Sequence, residues 1–153
     1  MFLVLGDLHF TLQNINSCQI VCDEVIEHMR RNPGYDGVVI LGDVLNDHEK
    51  LHETPLNMVV RFFGRVLDLC PELFIEVGNH DMADPGNRLT TRHWMHVLKR
   101  WRGVTVVDYP VKVPLARMPG RYVCFCPYVP PGMLVKTLDE GFKDREHWVC
   151  ADT

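Results

Sequence analysis

At 153 residues the chain has the length of one domain able to bury a core, and its 46% hydrophobic and 24% charged residues exclude the disordered and fibrous classes. A formal charge of -4 argues against a strongly basic surface that coats nucleic acid, although bound divalent cations reverse the sign locally. Six cysteines (Cys18, Cys22, Cys70, Cys124, Cys126, Cys150) lie scattered among apolar runs; they form no secreted disulfide framework and are expected to be reduced and mostly buried.

The chain opens on an apolar run, residues 1–5, that stops at Gly6-Asp7 without a basic leader. It is too short for a signal peptide or a membrane span, so the expectation is an intracellular protein with no membrane segment. Residues 2–5, 38–41 and 73–77 each have the length and branched content of a buried strand, and each leads into a glycine. Asp7, Asp43 and Asn79 follow those glycines at two equal intervals of 36 residues, the length of a strand-helix-strand unit, which predicts consecutive parallel strands.

The intervening segments read as helices. Cys18, Val21, Cys22, Val25 and Met29 recur at helical spacing behind Ser17 as a cap, with a stop near Asn32-Pro33-Gly34. Thr54 as cap and Pro55 as first-turn residue precede Leu56, Val59, Val60, Phe63, Leu67 and Cys70, and Pro71 closes that helix. A third helix is predicted over 91–101, where Trp94, Val97, Leu98 and Trp101 form an apolar stripe. Beyond Gly103, the runs 104–107, 111–115 and 122–125 read as strands of a second layer, followed by a short helix over 133–138 and a last strand over 148–151.

In open sheets of parallel strands, ligand sites lie at the carboxyl ends of the strands. Three polar clusters fall there: Gly6-Asp7-Leu8-His9, Gly42-Asp43-Val44-Leu45-Asn46-Asp47 and Gly78-Asn79-His80-Asp81. Carboxylate, imidazole and amide brought together by adjacent strands suit a divalent cation. The preceding glycines let the backbone leave the strand sharply without obstructing a metal or phosphate. Strand alternation predicts Asp7 and His9 on one side and Leu8 in the core.

Gly-Asp-x-His, then Gly-Asp, then Gly-Asn-His-Asp, in this order, resembles the signature of the calcineurin-like metallophosphoesterases. The stretch Pro127-Tyr128-Val129-Pro130-Pro131-Gly132 is similar to one in a viral and phage branch of that family. The resemblance implies an α/β fold, the αββα sandwich of metallophosphoesterases, here lacking its C-terminal part. It implies a hydrolase acting on phosphate esters, nucleotides and nucleic acids among them, by attack of a metal-bound hydroxide. Two divalent cations are implied, with manganese the expected ion and iron, zinc, nickel and magnesium the alternatives. Asp7 and His9 would hold the first, Asp43 would bridge both, and Asn79 would hold the second. His80 would face the substrate, with Asp81 hydrogen-bonded to its ring and fixing the tautomer. Asn46 stands where many relatives carry a further acidic residue and Asp47 follows one position later, so either could support the cluster without being a ligand, and Asn87 and Arg88 are candidates for contacting the substrate phosphate.

The family's later histidine and its Gly-His-x-His element have no counterpart in this sequence, so the second cation is expected to bind weakly. A truncated or non-catalytic metal-binding module that keeps the fold is therefore the rival reading. Simpler explanations cover the remaining candidates. His48 and His52 beside Lys50 and Glu53 suit a solvated loop. His93 and His96 suit a solvated helix face. The pairs Cys18/Cys22 and Cys124/Cys126 suit core packing better than zinc.

Overall fold

A computed structural model describes residues 1–48, 50–86, 88–115 and 119–142. Asn87, His147, Cys150 and the strand expected over 148–151 lie outside the described residues. Four strands, β1 (Phe2–Leu5), β2 (Gly37–Ile40), β3 (Leu73–Glu76) and β4 (Val104–Val107), form one parallel sheet in the order β1-β2-β3-β4. Helices α1 (Ile15–Arg31) and α2 (Glu53–Leu67) and a 3-10 helix (Trp94–Arg100) make the three crossovers. Strands β5 (Val111–Pro114) and β6 (Tyr122–Phe125) pair as an antiparallel hairpin, and α3 (Leu134–Gly141) follows. No helix of the described residues is long and apolar enough to cross a membrane.

Alternation along the strands decides the layers. Val38, Ile40, Leu73, Ile75 and Val106 face the helices, where they pack with Cys22, Ile26 and Met29 of α1 and Val59, Phe63 and Val66 of α2. Val39, Phe74 and Val107 face the opposite way and pack on Phe125 of the hairpin. There Phe74 and Phe125 stack at 4.8 Å, and Phe2 meets both rings edge-on at 5.8 and 6.5 Å. Helices cover one face of the parallel sheet and a second sheet covers the other, the α/β architecture expected of a metallophosphoesterase.

Several local expectations are corrected. β4 belongs to the parallel sheet, paired from Leu73↔Val104 to Glu76↔Val107, rather than to the second layer. Its last two residues are buried on opposite faces, which requires a strand between two layers. Helix α1 starts at Ile15, two residues before Ser17, with Asn14 as its first flanking residue, and α2 starts at Glu53, before Thr54, with His52 in that place. The segment before Trp101 is 3-10 rather than α-helical, and with about three residues per turn it buries Met95 and Leu98 while Val97 stays exposed. Cys18, Cys22 and Cys70 are buried and Cys124 and Cys126 half-buried, and these five described cysteines form no disulfide with one another, as their setting among apolar runs led one to expect.

Two glycines set how closely β2 and β3 approach at their carboxyl ends. Gly42 has φ +85°, and a Cβ on it would lie 2.7 Å from Gly78 N and 2.8 Å from Gly78 Cα. Gly42→Ala therefore combines a left-handed backbone with a backbone clash. It should destabilise the protein by about 2 kcal/mol or more, read as a lower urea midpoint.

Glu76, the last residue of β3, is turned between the two sheets, where its carboxylate accepts the Cys126 backbone N–H. Burial pushes its pKa up from 4.5 to about 7. The folded protein thus holds this proton more tightly than the unfolded chain. Its contribution to stability is complete below about pH 4.5 and is lost as pH rises through about 7. In metal-stripped protein the stability difference between pH 5 and pH 8 should shrink by on the order of 2–3 kcal/mol in Glu76→Gln. Identical pH dependence in both proteins, measured by urea denaturation, would contradict this burial.

Candidate metal centre

The three polar clusters leave β1, β2 and β3 side by side, and the backbone continues to pair beyond the strands. His9 N donates to Asp43 O and Phe10 N to Val44 O, both at 2.9 Å, and Phe10 bridges to Leu45 in parallel. This ladder holds the first loop against the second. Asn14 fixes the far side of the first loop: its Nδ2 donates to His9 O at 2.8 Å and its Oδ1 accepts from Thr11 N at 2.8 Å.

Asp7, His9 and Asp43 all occupy the left-handed region, with φ of 50°, 43° and 47°. Such a conformation is uncommon for residues with a side chain and is retained only where surrounding structure compels it. It also replaces the expected reason for convergence. Asp7 and His9 do not reach one side by strand alternation. The chain curls after Gly6 instead, and Leu8 packs against the core between them. One ligand atom from each of Asp7, His9 and Asp43 lies within 4.8 Å of the others.

Asp43 links the second cluster to the third. Its Oδ1 accepts the His80 backbone N–H at 2.9 Å, and the carboxylate lies over Gly78, where a Cβ would come within 2.2 Å of that oxygen. Only glycine at 78 leaves room for the aspartate. Asn79, half-buried, shares with Asp43 a cavity of about 300 Å³ that Glu76, Cys126 and Tyr128 also line.

His80 stands beside this group. Its Nδ1 is 2.7 Å from Asn46 O, and its ring meets the His9 ring edge-on at 5.0 Å. A carbonyl only accepts, so Nδ1 carries the hydrogen and Nε2 is the nitrogen left for other chemistry. The expectation that Asp81 orients this ring is corrected here, because Asp81 is engaged elsewhere. The Asp81 side chain, 1% exposed, accepts from Val44 N at 3.1 Å, Gly78 N at 3.1 Å, Leu45 N at 3.4 Å and Trp94 Nε1 at 3.1 Å. Burial raises its pKa to about 6 against the lowering effect of these donors. A carboxylate in that position ties the second and third loops to the 3-10 helix from behind.

Arg88 is directed to α3, where its guanidinium pairs with Glu140. His52 lies 3.4 Å from the Asp47 carboxylate, and Asn46 Nδ2 donates to Asp47 Oδ1 at 3.2 Å. His93 is buried rather than solvated: its Nε2 is 3.1 Å from Asp108 Oδ2, which also binds Lys99 Nζ at 2.5 Å. Burial pulls the His93 pKa down, so the ring is held neutral against an ionised Asp108.

The donor set suits a divalent cation. Two carboxylates converge on one imidazole, an arrangement in which like charges repel unless positive charge lies between them. His9 Nδ1 is buried and has no hydrogen-bond partner. Oxygen and imidazole donors of this kind suit several divalent cations.

The sequence profile of the calcineurin-like phosphoesterases matches residues 1–135. The chain is also similar to two viral proteins. It is 36% identical over 146 residues to "Putative phosphoesterase 244L" of Invertebrate iridescent virus 6, covering 95% of this chain and 49% of that protein. It is 37% identical over 144 residues to "Putative phosphoesterase 078R" of Invertebrate iridescent virus 3, covering 94% of this chain and 40% of that protein. The chain thus spans half or less of the length of these curated relatives. Matched by the family's profile over most of its length, the chain belongs to the calcineurin-like phosphoesterase family.

Proposed function

We propose that this chain carries the cation-binding half of a metal-dependent phosphoesterase centre that hydrolyses phosphate esters, with nucleotides and nucleic acids among the candidate substrates. The observation that supports this most is the gathering of Asp7, His9 and Asp43 within 4.8 Å, with the His80 amide on Asp43 and the His80 ring beside His9. Asp7, His9 and Asp43 hold the first divalent cation, and Asp43 and Asn79 hold a second, weaker one. Manganese is the preferred ion because the donors are oxygens and an imidazole. When bound, the cations supply Lewis acidity to the phosphoryl oxygens and acidify water at neutral pH.

The chain's own groups do the rest. Asp7 and Asp43 provide the negative charge that confines the cations. Without cations those carboxylates would repel the phosphate, so substrate binding and metal binding are coupled. His80, held by Asn46 through Nδ1, offers Nε2 to the ester. As imidazolium it donates from that atom to the oxygen that gains charge, and it passes the proton to the leaving group. Asp81 keeps the Gly78 and Val44 amides fixed, so Asp43 and His80 keep their spacing. Arg88 can reach a phosphate only by leaving Glu140, which places it outside this reading.

The test is hydrolysis of an aryl phosphodiester and an aryl phosphomonoester by metal-stripped protein titrated with manganese. Asp43→Asn keeps the oxygen that accepts the His80 amide but removes the charge. It should abolish manganese-dependent turnover while circular dichroism stays unchanged, and undiminished turnover would refute the assignment. His80→Ala should lower turnover by roughly 100-fold or more while calorimetry finds the first cation bound as before. Loss of that cation instead would make His80 a ligand. Cation binding without any turnover would favour a binding module that keeps the fold.

A further inference from the structure

His48 is exposed and lies in the loop between β2 and α2, five residues after Asp43. Its sequence context suggests a solvated side chain, yet its ring lies flat on that of His80, with centroids 4.6 Å apart and planes 14° from parallel. His80 therefore has three supports: the Asn46 carbonyl at Nδ1, the edge of His9, and the face of His48. The loop that presents His48 is itself braced, with Lys50 N donating to Asp47 O at 3.1 Å and His52 beside the Asp47 carboxylate.

These supports do different things. A hydrogen bond at Nδ1 fixes one atom of the imidazole but leaves the ring free to tilt about it. His9 touches only through an edge. A second ring stacked face to face removes the tilt, because any rotation of His80 out of plane collides with it. The direction of Nε2, which Asn46 alone does not determine, then follows from His48.

We propose that His48 is a positioning residue that sets the plane of the His80 ring and so aims Nε2 at the phosphate ester. This inference rests on the reading of His80 as the group that meets the substrate. Its role requires a flat ring and no charge or proton exchange, so phenylalanine should serve where alanine does not.

The experiment compares His48→Ala and His48→Phe with the unsubstituted chain in two measurements. In manganese-dependent hydrolysis of the aryl phosphodiester, His48→Ala should lower kcat about tenfold with KM changed less than about twofold, as expected for misaimed chemistry with intact binding. His48→Phe should recover kcat to within about threefold of the unsubstituted chain. The second measurement is nitrogen-15 NMR of the metal-free protein, with His80 assigned by its loss in His80→Ala. The Nδ1–H form set by Asn46 should persist in all three proteins, while the His80 ring signals should be sharp in the unsubstituted chain and in His48→Phe and broadened by ring motion in His48→Ala. An unsubstituted kcat in His48→Ala, an equal loss in both variants, or a His80 spectrum indifferent to His48→Ala would each overturn the proposal. If the unsubstituted chain shows no turnover, the phosphoesterase reading fails, and the ring spectrum alone decides the role of His48.

Discussion

The site depends on one buried carboxylate. Asp81 draws backbone amides from the second loop (Val44, Leu45) and the third (Gly78), together with the Trp94 indole, onto two oxygens. Burial opposes its ionisation and the donors favour it, so the group is stable there only while all of them are in place. The loops after β2 and β3 are thereby fixed to each other and to the 3-10 helix. The separation of Asp43, Gly78 and His80 follows from that tie.

Around this anchor the geometry is compressed rather than open. Gly42 and Gly78 bring two backbones to a distance that no side chain could share, and Asp43 fills the space over Gly78. Asp7, His9 and Asp43 adopt left-handed backbone conformations that a free chain would seldom visit. Hydrogen bonds from Asn14 and the extended ladder between the first two loops maintain them. Local strain at a cluster of converging carboxylates is an arrangement that a cation relieves, by neutralising the repulsion that convergence creates. Fold and site are thus coupled, the core supplying the rigidity that holds the two carboxylates close to each other.

The second sheet contributes differently. Its aromatic contact among Phe2, Phe74 and Phe125 covers the face of the parallel sheet turned away from the helices, and the chain beyond β6 then returns to the site. Tyr128 N donates to Val77 O at 2.9 Å, which brings Cys126 and Tyr128 to the wall shared by Asp43 and Asn79. That wall includes Glu76, a carboxyl whose pKa burial raises to about 7.

Sequence by itself determined the parallel strands, the crossover helices and the identity of the converging residues. Period-two and period-3.6 apolar patterns reflect which faces are buried, and a glycine followed by a carboxylate at a strand end has few structural uses. It also determined the family, since three ordered motifs rarely coincide by chance. Tertiary structure alone decided how those residues meet. The left-handed curl at Asp7 and His9, the loan of Asp81 to the backbone rather than to the His80 ring, and the stack of His48 on His80 all join segments distant in the chain or depend on backbone angles that carry no periodic signal. The placement of β4 in the parallel sheet and the burial of His93 against Asp108 were likewise undecidable locally. A short apolar run fits either layer, and a histidine beside arginine and lysine looks solvated until a partner fifteen residues away removes it from water.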